Sequence, residues 1–172
     1  MAPRFPLFVN IENASCLVIG GGDVATRRVQ TLRKCGARVR VVSPAFSEAL
    51  VAWAAAEGDD SDLLELSARE FKDADILGVR LVFACTDSSD VNRRVAVLAA
   101  QHNVMCNISD DPQASNFHFP GLVTRGELSV GINTNGGSPS VSRQVRELVE
   151  MMLPEDFGDR IQSVGRTPGE TE

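Results

Sequence analysis

Cys16-Leu-Val-Ile-Gly-Gly-Gly-Asp-Val-Ala25 decides how this chain folds. An apolar run ends in three glycines, and an alanine follows three places on. Gly20 to Ala25 fits G-x-G-x-x-A. Gly20 permits a tight turn at the end of a strand, and Gly22 lets the backbone approach a pyrophosphate with no Cβ in the way. Ala25 lets the following helix pack closely on the sheet. Asp23 and Val24 open that helix, whose free amides and dipole face the phosphates. Such a motif is weak alone. Here it follows an apolar strand, opens an amphipathic helix and lies inside a βαβ unit, which makes it informative. A dinucleotide site is expected, with NAD as cofactor, made by Gly20, Gly22, Asp23, Val24 and Ala25.

The flanking segments continue the pattern. Residues 15–20 read as a buried strand and 22–35 as a helix. Val29 and Leu32 lie on its inner face, with Arg27, Arg28, Arg33 and Lys34 largely outside. Gly36 sits where a left-handed residue closes a helix. Residues 38–43 read as a second strand, and Pro44 starts a helix through Glu57. Gly58 to Ser61 reads as a turn or loop. Further strands are expected at 63–66, 79–85 and 104–108, with a helix over 88–103 capped by Ser88 or Asp87. Alternating strands and helices indicate right-handed βαβ units. The fold class is α/β: a Rossmann-like parallel sheet with helices on both faces.

After Ile108 the character changes. Residues 109–120 are polar and rich in turn formers. Strands at 122–124 and 128–133 flank Arg125-Gly-Glu127. A helix opened by Ser138 or Pro139 runs to about Leu153, with Val141, Val145, Leu148, Val149 and Met152 at helical spacing. The expected organisation is a dinucleotide domain over 1–111, a small α+β segment over 112–153, and a polar, flexible tail over 154–172.

The chain has 172 residues, enough for a core without disulfide or metal staples. Its net charge of -6, from 17 basic and 23 acidic residues, argues against a nucleic-acid partner. No run approaches the roughly 20 apolar residues of a membrane span, and the N-terminus does not read as a signal peptide. Cys16, Cys35, Cys85 and Cys106 form no Cys-x-x-Cys pair and read as free thiols, three of them in apolar strands. That usage suits the cytoplasm.

Ligand positions follow from the topology. The tip of the second strand often carries an acid that holds the ribose 2′-hydroxyl; here it is Ser43, followed by Pro44. The residues alone therefore do not separate NAD from NADP. Thr86 and Asp87, at the tip of the fourth strand, stand beside the switch-point crevice; helix capping is their alternative role.

The glycine turn, Ala84-Cys-Thr-Asp-Ser-Ser-Asp-Val-Asn92, Cys106-Asn-Ile-Ser-Asp-Asp-Pro112 and Phe117-His-Phe-Pro120 come in a telling order. With Gly-Gly-Ser-Pro139 and the helix carrying Arg143 and Arg146, the chain resembles the precorrin-2 dehydrogenase/sirohydrochlorin ferrochelatase family over residues 4–153. That family includes the N-terminal region of siroheme synthase. Its C-terminal helical segment is shortened here. The resemblance implies NAD-dependent oxidation of precorrin-2 to sirohydrochlorin, with a tetrapyrrole as substrate. Some members also insert ferrous iron or cobalt, and members are dimers through the segment after the Rossmann domain.

The family's essential aspartate follows Asn-Val-Val. The matching run is Asn107-Ile108-Ser109, so the resemblance points to Asp110 as catalytic. A base is needed there to take a proton from the macrocycle as hydride leaves. Capping of the Asp-Asp-Pro turn is the other reading of Asp110, and the more natural one of Asp111. A polycarboxylate substrate calls for cations. Arg125, Arg143 and Arg146 are candidates, with Ser138 in the matched loop; solvated surface charge is the alternative for each arginine. No resident metal site is expected, since His102 and His118 lack partners at ligand spacing. Phe117 and Phe119 read as packing residues. The rival to an enzyme is a non-catalytic nucleotide-binding or ligand-sensing module.

Overall fold

The computed structural model describes residues 4–56, 63–135 and 137–158. The expected turn at 58–61 and most of the expected tail, beyond 158, lie outside the described residues. The chain falls into two compact units, one from Pro6 to Phe117 and one that joins the N-terminal residues through Phe5 with the chain from His118 onward.

In the first unit the strands are β1 (Ser15–Ile19), β2 (Arg38–Ser43), β3 (Leu64–Ala68), β4 (Leu81–Ala84) and β5 (Met105–Ile108). All pair in parallel, in the order β3-β2-β1-β4-β5. The chain steps outward from β1 through β2 to β3, then returns to the other side of β1 for β4 and β5. The reversal lies between β1 and β4, which is where open α/β sheets bind ligands. Every residue of β4, and all of β1 but its first, is buried. Strands covered on both faces read as unbroken apolar runs for this reason.

The helices are α1 (Asp23–Lys34), α2 (Glu48–Ala56) and α3 (Ser89–Gln101). Leu17 and Ile19 share one core cluster with Val95 and Ala99 of α3. Val18, between them, turns to the opposite face, where α1 packs on β1 and β2. Gly36 closes α1 with φ of +75°, as its position predicts. Asn103 ends α3 in the same left-handed way, with φ of 56°.

Three local expectations need correction. Helix α2 begins at Glu48, not Pro44. The Ser43 hydroxyl donates to the Ala45 carbonyl (2.7 Å) and the Ser47 N–H donates to the Gly21 carbonyl (2.8 Å), so residues 44–47 form a pinned loop instead. Arg33 is buried rather than outside, its guanidinium donating to the Ala37 carbonyl at 3.1 Å. Cys85 lies one residue past β4 and is half-buried. Burial pushes the Cys16 and Cys85 thiols up to about 11 and that of Cys106 to about 12. Thiols so protonated are poor nucleophiles at neutral pH.

A short 3-10 turn, Asp73–Ile76, escapes the sequence pattern. Its Asp75 is buried and accepts two guanidinium bonds from Arg69, both at 2.7 Å, and the Lys72 N–H at 2.9 Å. The Arg69 hydrogen bonds hold the Asp75 carboxyl below the usual carboxylate range, against the opposing effect of burial. A depressed folded pKa adds stability above the unfolded value, about 3.9, that is lost as pH falls through the folded one. Asp75→Asn is therefore expected to lower the melting temperature at neutral pH. The gap to the wild type should narrow as the pH drops below about 4; thermal melts across that range check it.

The second unit holds an antiparallel hairpin, β6 (Gly121–Arg125) and β7 (Leu128–Ile132), and helix α4 (Pro139–Met152). Ser138 caps α4 by accepting from the Val141 N–H, and Pro139 stands at its first position, where no amide partner is lost. No residue of α4 is fully buried. Among the described residues no helix is long and apolar enough to cross a membrane.

Candidate dinucleotide site

The three glycines at the end of β1 do three different things. Gly20 has φ of +109°, a conformation L side chains rarely adopt, and a Cβ there would drive into the Cys85 carbonyl. The tips of β1 and β4 touch at that point, and the Cys85 N–H donates to the Ile19 carbonyl at 2.7 Å. A Cβ on Gly21 would strike the Ala45 carbonyl and approach Phe46. Gly22 differs from both: its φ is -84°, and a Cβ would meet nothing within 4 Å. The protein itself therefore gives no reason for glycine at 22. A ligand lying against that backbone does.

Gly22 is also the N-cap of α1, and no side chain caps the helix. The first N–H groups of a helix lack intrahelical acceptors and carry the positive end of its dipole. Left without a capping oxygen, they suit an anion. Ala25 is fully buried, so α1 lies close on the sheet. Asp23 and Val24 form the first turn behind the glycines. Thr26 adds a clamp, its hydroxyl 3.0 Å from the Gly22 carbonyl and 3.2 Å from the Ser47 hydroxyl.

A groove of about 550 Å³ opens over these glycines. Gly20, Gly22, Ser43, Thr86 and Asp87 all line it, with Phe71 on the β3 side. Its shape and donors fit a dinucleotide: a bare helix start for pyrophosphate, and walls from the tips of β1, β2 and β4. Ser43 is buried at the tip of β2, its hydroxyl turned back onto Ala45. Ser88, not Asp87, caps α3 by accepting from the Val91 N–H at 3.4 Å. Asp87 is left exposed at the groove.

Asp110 stands two residues past β5. One of its oxygens accepts from the Asn92 side-chain amide at 2.9 Å. That amide also donates to the Thr86 carbonyl (3.0 Å), and its oxygen accepts from the Thr86 hydroxyl (2.7 Å). Thr86, Asn92 and Asp110 thus form one hydrogen-bonded run from the groove wall to the carboxylate. Asn92 is nearly fully buried. The sequence does not single it out, because an asparagine in the first turn of a helix carries no signal of a partner eighteen residues away. Asp111, by contrast, accepts from the Gln113 and Ala114 N–H groups and holds the turn. Ser109 ties β5 to β4, its hydroxyl donating to the Ala84 carbonyl at 3.0 Å. Phe117 packs edge-on against Phe83.

The other named residues belong to the second unit and gather around α4. Arg125 donates to the Leu153 carbonyl at 2.7 Å and to the Glu150 carbonyl at 3.5 Å, so it caps the C-terminal end of α4. Arg143 pairs with Glu147 and Arg146 with Glu150, both at 2.9 Å one turn apart. Arg143 is the more exposed of the two. Among the described residues no group of three or more His, Cys, Asp or Glu could hold a metal ion.

Sheet order, glycine turn and uncapped helix define a Rossmann-type protein with a dinucleotide-sized groove at the β1–β4 switch point. Residues 7–121 match the family model described as "Putative NAD(P)-binding", and the chain belongs to that family. It is similar to the siroheme synthase of Thioalkalivibrio sulfidiphilus, 39% identical over 90% of this chain and 30% of that one. The siroheme synthase of Escherichia coli O17:K52:H18 is 34% identical over 96% of this chain and 35% of its own length. The chain thus spans about a third of the length of these curated relatives. A solved structure described as "SirC, precorrin-2 dehydrogenase" superposes with a TM-score of 0.76 at 25% identity, covering 92% of this chain and 76% of that one.

Proposed function

We propose that the protein is an NAD-dependent precorrin-2 dehydrogenase, oxidising precorrin-2 to sirohydrochlorin on the way to siroheme. The observation that carries the reading is the hydrogen-bonded run from the dinucleotide groove to Asp110, in a fold shared with a precorrin-2 dehydrogenase. NAD, when bound, supplies the acceptor for a hydride from the macrocycle. The chain's own residues do the rest. Gly20 and Gly22 open the backbone to the pyrophosphate, with Asp23, Val24 and Ala25 starting the helix behind it. Ser43, Thr86 and Asp87 line the walls. Asp110 has one oxygen held by Asn92 and the other without a protein partner among the described residues. It takes the proton released as the new double bond forms. The same carboxylate suits removal of pyrrole protons should ferrous iron or cobalt be a second substrate.

The organisation we propose is a dinucleotide domain over 1–111 followed by a substrate and dimerisation segment over 112–153, of which residues 112–117 still pack within the first compact unit. Ser138, Arg125, Arg143 and Arg146 supply that segment's polar groups for a carboxylate-rich substrate. Arg143, paired only with a neighbour on its own helix at an exposed position, is the readiest to exchange its partner. Homodimerisation is supported by α4, where Val141, Leu148, Met151 and Met152 are all exposed. An apolar stripe of this kind is costly in water unless covered. Leu148→Glu is expected to yield a monomer by sedimentation; a dimer that persists would remove α4 from the interface.

The deciding assay mixes the protein with NAD and enzymatically generated precorrin-2. It follows NADH absorbance and the sirohydrochlorin spectrum together. Both should rise in equal molar amounts. Binding of NAD with neither signal would favour a ligand-sensing module instead. Repeating the assay with ferrous iron or cobalt tests chelation.

A further inference from the structure

We propose that Asn92 is the positioning residue for the proton-accepting carboxylate, and that it couples that carboxylate to the wall of the dinucleotide groove. The proposal rests on the assignment of Asp110 as the base. Three observations support it. Asn92 is a buried amide on α3, while Asp110 is an exposed carboxylate on the loop after β5. An exposed acid on a loop has no fixed direction of its own, and the 2.9 Å bond from a buried, immobile donor gives it one. The Asn92 amide is also fully used: its nitrogen serves the Thr86 carbonyl and Asp110, and its oxygen serves the Thr86 hydroxyl. Two acceptors on one side and a hydroxyl on the other fix which end is nitrogen. Finally, Thr86 itself lines the groove. A dinucleotide seated there and the base therefore refer to the same rigid amide, and geometry of this kind is what proton transfer in step with hydride loss requires.

Asparagine suits this task better than aspartate. An acid at 92 would accept the Thr86 hydroxyl equally well but could not donate to Asp110 while ionised. It would set two carboxylates within hydrogen-bond distance, and such a pair retains a proton. Other titratable groups nearby do not compete. The Cys85 thiol, pushed to about 11, stays protonated, and Asp111 is engaged by two backbone N–H groups.

The test compares Asn92→Asp, Asn92→Ala, Asp110→Asn and the double variant Asn92→Asp/Asp110→Asn, using NAD and precorrin-2. Asn92→Asp is near-isosteric and keeps the bond accepted from the Thr86 hydroxyl, while losing those donated to the Thr86 carbonyl and to Asp110. It should lose about 100-fold in kcat with NAD affinity unchanged. The acid limb of kcat/KM should move up by about one unit or more. Asn92→Ala should lose kcat without that shift. The double variant re-forms the 92–110 hydrogen bond in the reversed sense but not the bond to the Thr86 carbonyl, so its melting temperature should rise above that of Asn92→Asp while turnover stays low. If Asn92→Asp keeps wild-type kcat and acid limb while Asp110→Asn is inactive, the base stands and the positioning role is overturned. If Asp110→Asn keeps full turnover, the base assignment falls and takes this proposal with it. Recovery of turnover in the double variant would also overturn it, since the carboxylate would then work from position 92.

Discussion

Asp110→Asn is expected to cut NADH formation from precorrin-2 by a factor of about 10² to 10⁴, the usual worth of a positioned general base. The substitution is isosteric. Its amide oxygen can still accept from Asn92, so the loop after β5 should keep its place and the protein its melting temperature. Asp110 is not part of the groove wall, so NAD should bind as before. What disappears is the carboxylate, the group able to accept the proton. Stopped-flow or steady-state NADH absorbance gives the rate, and quenching of protein fluorescence gives the NAD affinity. Near-normal turnover would show that another group takes the proton. Loss of NAD affinity alongside turnover would mean that Asp110 supports the groove rather than the reaction.

The second large effect separates the glycines. Gly20→Ala should destabilise the fold by about 2–5 kcal/mol, since it adds backbone strain to an overpacked contact. Its Cβ meets backbone, the Cys85 carbonyl, which cannot swing away. Gly21→Ala should act similarly through the Ala45 carbonyl, displacing the loop that leads into α2. Gly22→Ala should melt only modestly below the wild type, because its φ is ordinary and its surroundings are open. Alanine is a poorer N-cap than glycine, but the cost is on the order of 0.5–1 kcal/mol, well below that at Gly20. Its penalty should fall on the ligand: NAD affinity is expected to drop by about tenfold or more as the pyrophosphate is held off the helix start, some 1.4 kcal/mol. Melting curves with and without NAD distinguish the cases. If Gly22→Ala binds NAD normally, the phosphate does not lie against that backbone.

The contrast also explains how much of the molecule is readable from its residues. Local signals read well. The bounds of β2, the closing Gly36 and the capping Ser88 and Ser138 all come from short-range chemistry that the sequence carries explicitly. Parallel pairing follows from the alternation of elements. Features decided by contacts between distant segments do not read. Pro44 looks like a helix start, yet Gly21, twenty-odd residues earlier, holds the loop and delays α2 to Glu48. Arg33 looks like a surface residue until the turn at Ala37 offers its carbonyl. Gly21 occupies a variable place in the motif, and only the approach of Ala45 makes it necessary. At the candidate site, Gly20, Gly22 and Asp110 are visible through motif and resemblance. Asn92 is not, because its meaning lies in a partner on another loop. The arginines around α4 are visible as charges, but that Arg125 caps the helix end depends on where the hairpin lies against it.

The bare start of α1 has a consequence for the empty protein. A serine or aspartate at position 22 would satisfy the first amides from within and would make the unliganded fold firmer. Glycine leaves that satisfaction to solvent or to a bound anion. By mass action, dinucleotide at a hundred times its dissociation constant adds about 2.7 kcal/mol to the folded state. That is a substantial part of the roughly 5–15 kcal/mol by which domains persist. The lifetime of the folded chain, and so its resistance to proteolysis, should therefore track how much dinucleotide surrounds it. The turn that admits the cofactor also makes survival of the protein a gauge of cofactor supply.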